Sequence, residues 1–504
     1  MDELTQPLVK LERDRLNDLP QEVARPSYQK DDLSPGIVHI GVGNFHRAHQ
    51  GFYLHRLMQE GLAHDFAIVG AGVRSADKAM REKLLSQDCL STLIELDPKG
   101  TSAEVTGPMM DFVPVEEGNA ALISQMAQRE IRIVSLTVTE GGYFTGADGA
   151  FDGDHPDILH DAAHPGAPRT AFGAILAALT RRHSAGLGPF TVQSCDNLRG
   201  NGAITRAAVL GLAELQDAAL ARWIAEHVTF PNAVVDCIVP ATGPAEIAAA
   251  RTFGIADSAP VTHENFRQWV MDDAFCAGRP EWEKVGATFT GLVHDYEAMK
   301  IRILNAGHQV LANAGELLSL ETIVDCIDHP LIGPFFRAVQ HREITPHVKP
   351  VPEMAPLDYL ALVERRFANP AIRDTVRRVA FDGSARHTGF VLPIVRDALA
   401  AGAPVEGLAL VEALWARMCA GEREDGTAIA PNDPHWAALR TRAQAARSEP
   451  RAWINPSGPS PSPYGAIGSD NRFAEAFARW LSGLWAEGTE ASLKAYTNEG
   501  TTAQ

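Results

Sequence analysis

Residues 36–59 read GIVHIGVGNFHRAHQGFYLHRLMQ, and no other stretch limits the fold so closely. Ile37 to Ile40 has the unbroken apolar character of a buried strand, with His39 inside it. Gly41-Val42-Gly43 is a tight turn, and Phe45 to about Gln59 has the pattern of a helix. Strand, glycine turn and helix form the opening of a dinucleotide-binding unit. Gly41 allows the turn, Gly43 lets the backbone approach a pyrophosphate, and the helix start, with Asn44 and Phe45, offers further cofactor contacts. His46 stands where the third glycine of the usual motif falls, and Ala48 is the next small residue. A glycine turn also serves as a plain tight turn. Its place after the first buried strand favours the binding reading.

The chain continues in the alternating manner of an open α/β sheet. A second strand is expected over Phe66 to Val73, followed by Arg74 and Asp77. An acidic residue there binds the ribose hydroxyls of NAD, whereas an arginine favours the phosphate of NADP; loop surface charges fit the pair as well. Ile131 to Val138 reads as a strand running into TEGGY, 145–170 as an irregular loop, and 171–183 as a helix. Phe190 to Ser194 reads as a strand ending in Cys195-Asp196-Asn197. Polar groups beyond the carboxyl ends of parallel strands are where such sheets bind ligands, so Asn197 is a site candidate, with an Asx turn as the alternative. Asp236 lies among apolar neighbours in a strand-like segment from Ala233 to Ile238, and a buried carboxylate needs a partner. From 295 the periodicity becomes helical and strand signals fade, with helices expected over 296–320, about 330–341, 357–368, 370–381, 391–401 and 405–420. The expected architecture is a Rossmann-type α/β domain over 1–290, then a mainly α-helical domain over 291–504. Residues 1–30 are expected as a peripheral arm, 449–470 as an extended surface connection, and the end of the chain as a frayed tail.

The helical half opens with DYEAMKIRILNAGHQ, residues 295–309. At 100° per residue, Lys300, Asn305 and His308 fall within an arc of about 140°. A lysine whose pKa is lowered by burial can take a proton, an amide can donate to a developing oxyanion, and an imidazole can orient a hydroxyl. An amphipathic helix with a snorkelling lysine and a core histidine is the plainer alternative. Tyr296-x-x-x-Lys300 also matches a short-chain dehydrogenase pair, but it lies too far beyond the glycine turn for that compact fold.

Several function classes are disfavoured. The net charge of -18 argues against nucleic acid and anionic membranes as partners. No apolar run approaches the roughly 18 residues of a spanning helix, and the acidic N-terminus lacks the form of a signal peptide, so a cytoplasmic protein is expected. The six cysteines are scattered, as reduced thiols would be. His46, His49 and His55 share a helix but are read as packing or surface groups, and no HExxH or Cys/His spacing calls for a metal.

GVGNFHRAH, TEGGYF, DHPDI, SCDN, FPNAVVDCIVPAT, YEAMKIRILNAGHQ and DGSAR, in this order, resemble the polyol-specific long-chain dehydrogenase family from about 36 to about 485. The resemblance implies a metal-independent, nicotinamide-dependent oxidation of a sugar alcohol to a ketose, by a monomer. NAD is the implied cofactor, and Arg74 keeps NADP open. D-mannitol to D-fructose is the first substrate pair; D-arabinitol and a hexuronate are the alternatives within the family, and a non-catalytic nicotinamide or carbohydrate sensor the alternative outside it. By position, Lys300 resembles the family's general base, Asn305 and Asn197 its oxyanion pair, and His308 a substrate-orienting residue. Asp236 resembles a conserved motif aspartate, here counted with the cofactor set, and Arg378 and Arg386 resemble substrate contacts. The chain departs from the family pattern at Cys237, where arginine is usual, at Arg386, where lysine is usual, and at Ser75-Ala76, where acidic character is common. TEGGY in place of TEKGY leans toward arabinitol or broader polyol substrates.

Overall fold

The computed structural model describes residues 8–146, 149–455 and 462–499. The chain forms two compact units, Met1–His294 and Asp295–Gln504, and the division falls inside the helix Val293–Met299.

The first unit is built on a five-stranded parallel sheet. Its strands are β1 (Pro35–Ile40), β2 (Ala67–Ala71), β3 (Met109–Phe112), β4 (Ile133–Leu136) and β5 (Thr191–Ser194), in the order β3-β2-β1-β4-β5. The order reverses between β1 and β4, which creates the crevice where doubly wound sheets take ligands. Side chains alternate between two cores. Val38, Ile40, Val69 and Val134 enter one, with Phe172, Ile175 and Val209 of the covering helices. Ile37, Ile68 and Ile133 enter the other, with Tyr53, Leu54 and Leu57. Burial on both faces is why these strands are almost wholly apolar. Two three-stranded sheets complete the unit: one joins Ser91–Asp97, Gly100–Thr106 and Val261–Glu264, the other Ala233–Asp236, Gln268–Met271 and Thr288–Phe289.

Some local expectations are revised. The helix expected from Phe45 to Gln59 is two helices, α1 (Asn44–Ala48) and α2 (Gln50–Gln59), broken at His49 with φ -120° and ψ -91°. Arg47 and Asn44 are drawn toward the 240–259 segment there, which tilts the first turn away from the second. The expected N-terminal arm lies in part outside the described residues. The described part is packed rather than peripheral: Leu11, Leu19, Val23 and Tyr28 are buried, and Val9–Lys10 pairs with Ile255–Ala256. The loop at 145–170, of which 147–148 lie outside the described residues, contains the helix α3 (Pro156–Ala163).

Among its described residues the second unit is helical, with strands reduced to isolated bridges. Its centre is α4 (Ala306–Leu317), buried throughout, with α5 (Glu406–Met418) and α6 (Asn471–Ala486) among the surrounding helices. Three segments adopt the wider π turn: Lys300–Asn305, Gln340–Ile344 and His387–Val391. The helix expected over 370–381 is only Val376–Val379, because Thr375 caps it by accepting the Arg378 N–H. The connection at 449–470, of which 456–461 lie outside the described residues, is not wholly extended: Arg451–Ile454 and Ala466–Ser469 are short helices, and Trp453, Ile454 and Tyr464 are buried. Of the expected frayed tail, 500–504 lie outside the described residues, and Thr489–Glu499 forms a helix in which Leu493 and Tyr496 are buried. No helix among the described residues is long and apolar enough to cross a membrane.

Candidate active site

The crevice of the first unit opens into a cavity of about 460 Å³. Its walls come from the ends of three strands: Ile40 to Gly43 after β1, Val73, Arg74 and Asp77 after β2, and Thr137 to Thr139 after β4. Phe144, His155, Arg169 and Thr170 close the other side. Gly41 has φ +96°, and a Cβ there would stand 2.2 Å from the Thr137 carbonyl, so only glycine allows β1 and β4 to meet in this way.

The position of the third glycine is explained by a stack. The His46 ring lies on His39 with centroids 3.4 Å apart and planes 14° apart. Burial lowers His39 to about 3 and carries His46 well below its ordinary value, so both rings are neutral and can stack without repulsion. His39 also bonds Ser135 Oγ and Thr137 Oγ1, each at 2.8 Å, and Thr137 donates to the Gly41 carbonyl at 2.6 Å. The glycine turn is thus tied to β4 by a buried polar chain.

Of the cofactor candidates, Gly41, Gly43, Arg74 and Asp77 line the cavity, and Asn44, Phe45 and Asp236 do not. Asn44 donates to the Pro240 carbonyl at 2.9 Å and to Thr242 Oγ1 at 2.8 Å, and accepts from Arg47 at 2.8 Å. Phe45 stacks on His49. Asp236 is buried at the end of its strand. Asp77 accepts the Arg74 N–H through Oδ2 at 2.9 Å, and among the described residues Oδ1 accepts no hydrogen bond. Asn197 is exposed in the turn after β5.

Two carboxylates shape the cavity from behind. Asp196 accepts the N–H groups of Val138 and Thr139 at 2.9 and 3.0 Å. Asp161 accepts those of Arg169 and Thr170 at 2.7 and 3.0 Å. Thr170 Oγ1 then caps the helix Ala171–Ser184 by accepting the Gly173 N–H at 2.9 Å. Among the described residues the Arg169 guanidinium makes no hydrogen bond or ion pair, and Arg169 lines the cavity.

In the second unit Lys300, Asn305 and His308 are all buried, at 7%, 8% and 9% exposure. The first two bound the π turn Lys300–Asn305, and His308 follows in α4. The His308 ring stacks on Phe367 with centroids 4.3 Å apart, and its Nε2 is 3.8 Å from Asp374. Burial first, and then Arg378, Arg386 and Arg366, lower His308 to about 3 against the opposing pull of Asp374. It is therefore a neutral imidazole at physiological pH. Arg378 forks onto Asp374, Nε and Nη2 each at 2.6 Å, and Arg386 donates to the Val379 carbonyl at 3.0 Å. His308, Asp374 and Arg378 are thus linked, and Lys300 and Asn305 lie in the turn just before His308.

The model of the mannitol dehydrogenase Rossmann domain matches residues 35–284, and that of the mannitol dehydrogenase C-terminal domain matches 292–485. This chain belongs to the mannitol dehydrogenase family. The mannitol 2-dehydrogenase of Cereibacter sphaeroides is 55% identical over 476 residues, 94% of this chain and 99% of that relative. That of Aspergillus terreus is 38% identical over 94% of this chain and 95% of its own length. Among solved structures, the Pseudomonas fluorescens mannitol 2-dehydrogenase in ternary complex with NAD and D-mannitol covers 97% of this chain and 100% of its own, at 41% identity and a TM-score of 0.87. A substrate-free D-sorbitol dehydrogenase covers 96% and 100%, at 34% identity and a TM-score of 0.84.

Within this family fold, sequence reasoning passed over Thr137, Phe144, Arg169, Asp161, Asp374 and Gln340. A signal existed for two of them. Thr170 has the form of an N-cap, which fixes its neighbour Arg169, and Tyr143-Phe144 sits in a quoted motif. Gln340 had none, because its partner is a backbone carbonyl 37 residues away.

Proposed function

We propose that this protein oxidises a sugar alcohol to a ketose with NAD, D-mannitol to D-fructose first, using Lys300 as the general base and no metal. The cavity beside Gly41 suits a dinucleotide: it has a glycine wall, a carboxylate oxygen of Asp77 free for a ribose hydroxyl, and a guanidinium free for a phosphate. NAD, when bound, accepts the hydride from the carbinol carbon. Lys300, in its neutral form, takes the proton from the hydroxyl being oxidised. Asn305 donates its amide N–H to the same oxygen as negative charge develops on it, and Asn197 is assigned the same role by its match to the family pattern. Neutral His308 holds a neighbouring hydroxyl in place, and Arg378 and Arg386 contact the rest of the polyol.

One observation carries the reading: a lysine at 7% exposure bounds the same π turn as a buried asparagine, in a chain of this family. The proton is assigned to the lysine because its position matches the general base of the family pattern. The test is NADH formation at 340 nm with D-mannitol, D-arabinitol, D-sorbitol and xylitol at alkaline pH. Mannitol should lead, and Lys300→Ala should lose about 100-fold or more in kcat while still binding NAD. Turnover at the parental rate in Lys300→Ala would remove the base from this role.

A second reading has its own support. Three guanidinium groups, Arg366, Arg378 and Arg386, act on His308 against the single carboxylate Asp374. That field suits a hexuronate reduced in the reverse direction, and the same assay with a keto-uronate and NADH decides between them.

A further inference from the structure

The segment from Val293 to Leu317 is one continuous helical run with a wide turn in its middle. The Ala306 N–H closes that turn on the Ile301 carbonyl, five residues back. In an α-helix, residues 300 and 305 would point about 140° apart. In an i→i+5 turn, which is wider, residues five apart lie only about 50° apart. The wide turn therefore puts Lys300 and Asn305 on the same side, which an ordinary helix would not do.

A π turn needs support from outside the helix, and one side chain from a distant segment reaches this one. Gln340, fully buried, donates its amide N–H to the Ile303 carbonyl at 2.8 Å. It can reach that carbonyl because residue 307 is glycine: a Cβ there would stand 2.7 Å from Gln340 Nε2 and 3.0 Å from the Phe336 ring. The other end of the Gln340 amide, Oε1, is buried with no hydrogen-bond partner. A half-paired buried amide is unfavourable beside a methionine of similar size, so packing alone does not account for glutamine at this position.

We propose that Gln340, with Gly307 making room for it, is the positioning residue that holds the wide turn and so sets Lys300 against Asn305. The inference rests on the reading of Lys300 as the base. Gln340→Met keeps the volume and removes the donor. It should lower kcat for polyol oxidation about 10- to 100-fold, leave the KM for NAD within about twofold, and move the pH-rate limb by more than about half a unit. Gly307→Ala, ordinarily a helix-favouring change, should act in the same direction by displacing the Gln340 amide. Hydrogen exchange of the Ala306 amide in Gln340→Met should quicken at least about tenfold as the turn loosens.

Parental kcat and pH profile in either variant would overturn the proposal. So would a parallel loss of kcat, NAD affinity and folding, which marks a purely structural role. Lys300→Met is the control: a limb that persists there refutes the lysine reading, and the exchange rate in Gln340→Met still decides whether Gln340 holds the turn.

Discussion

Tyr143 donates its hydroxyl to the Asp196 carboxylate at 2.6 Å, closing the segment after β4 onto the end of β5. Ser194 lies 2.6 Å from the same phenol oxygen, and the Asp196 carboxylate also receives the N–H groups of Val138 and Thr139. Two quoted motifs, TEGGYF and SCDN, thus meet at one buried carboxylate, and the cavity wall at Val138 and Thr139 hangs from it.

Tyr143→Phe should lower stability by about 1.5–3 kcal/mol, the usual worth of a hydrogen bond to a charged group, and raise the KM for NAD through the loosened wall. Burial raises Asp196 above the ordinary carboxylate range, with Tyr143 and the two N–H groups pulling it down. Its folded pKa then exceeds its unfolded value near 3.9, so its contribution is complete below about pH 3.9 and fades as pH rises through the folded value. Asp196→Asn should flatten the stability profile just above pH 4, measured by denaturant midpoints.

His308, His39 and His263 are each lowered to about 3 by burial. Between about pH 3 and 6.5 the unfolded chain takes protons that the folded chain refuses, so stability falls on acidification through that window. His308→Gln should remove about 1.4 kcal/mol per pH unit of that slope for the single proton involved. Denaturant midpoints from pH 4 to 7 check it. The parental pH-rate profile should show no limb from His308 above pH 5.

Arg169→Ala should raise the KM for NAD about tenfold and leave kcat within about twofold, because an exposed guanidinium on a phosphate contributes toward the lower end of the charged hydrogen-bond range. Initial rates with varied NAD measure this. An unchanged KM would mean that Arg169 faces the cavity without touching the cofactor.

Asp77→Asn should raise the ratio of NADP to NAD efficiency about tenfold, since removing the carboxylate charge relieves its repulsion of a 2′-phosphate. Arg74 remains to meet that phosphate. Paired 340 nm assays with the two cofactors give the ratio.

Asp374→Asn removes the charge that holds the Arg378 fork. The KM for the polyol should rise about tenfold with the KM for NAD unchanged, and Arg378→Lys should behave similarly, because a lysine cannot make the paired contact.

The parallel sheet was legible because its signal is local: unbroken apolar runs, a glycine turn and polar residues at strand ends. The helical half was legible from periodicity. Where the reading failed, the deciding contact was remote. The break at His49 follows from Arg47 and Asn44 reaching residues about 200 positions away. The packing of the N-terminal segment depends on Ile255 and Ala256. The expected helix at 370–381 shrank to Val376–Val379 where the chain before it bonds a distant segment: the Val376 N–H donates to the Glu321 carbonyl, and the Ile323 N–H to that of Asp374.

Sequence alone determined the architecture and family of this protein, because strand and helix periods, glycine positions and motif order are written along the chain. It also brought Lys300, Asn305 and His308 forward as one group. Only the tertiary structure decided how they are presented. The π turn at Lys300–Asn305 has no propensity signature. It is supported by a carbonyl–amide contact spanning 37 residues, through a gap that only a glycine leaves open. Cavity walls hung from Asp161 and Asp196 are likewise the product of long-range hydrogen bonds, which local patterns do not record.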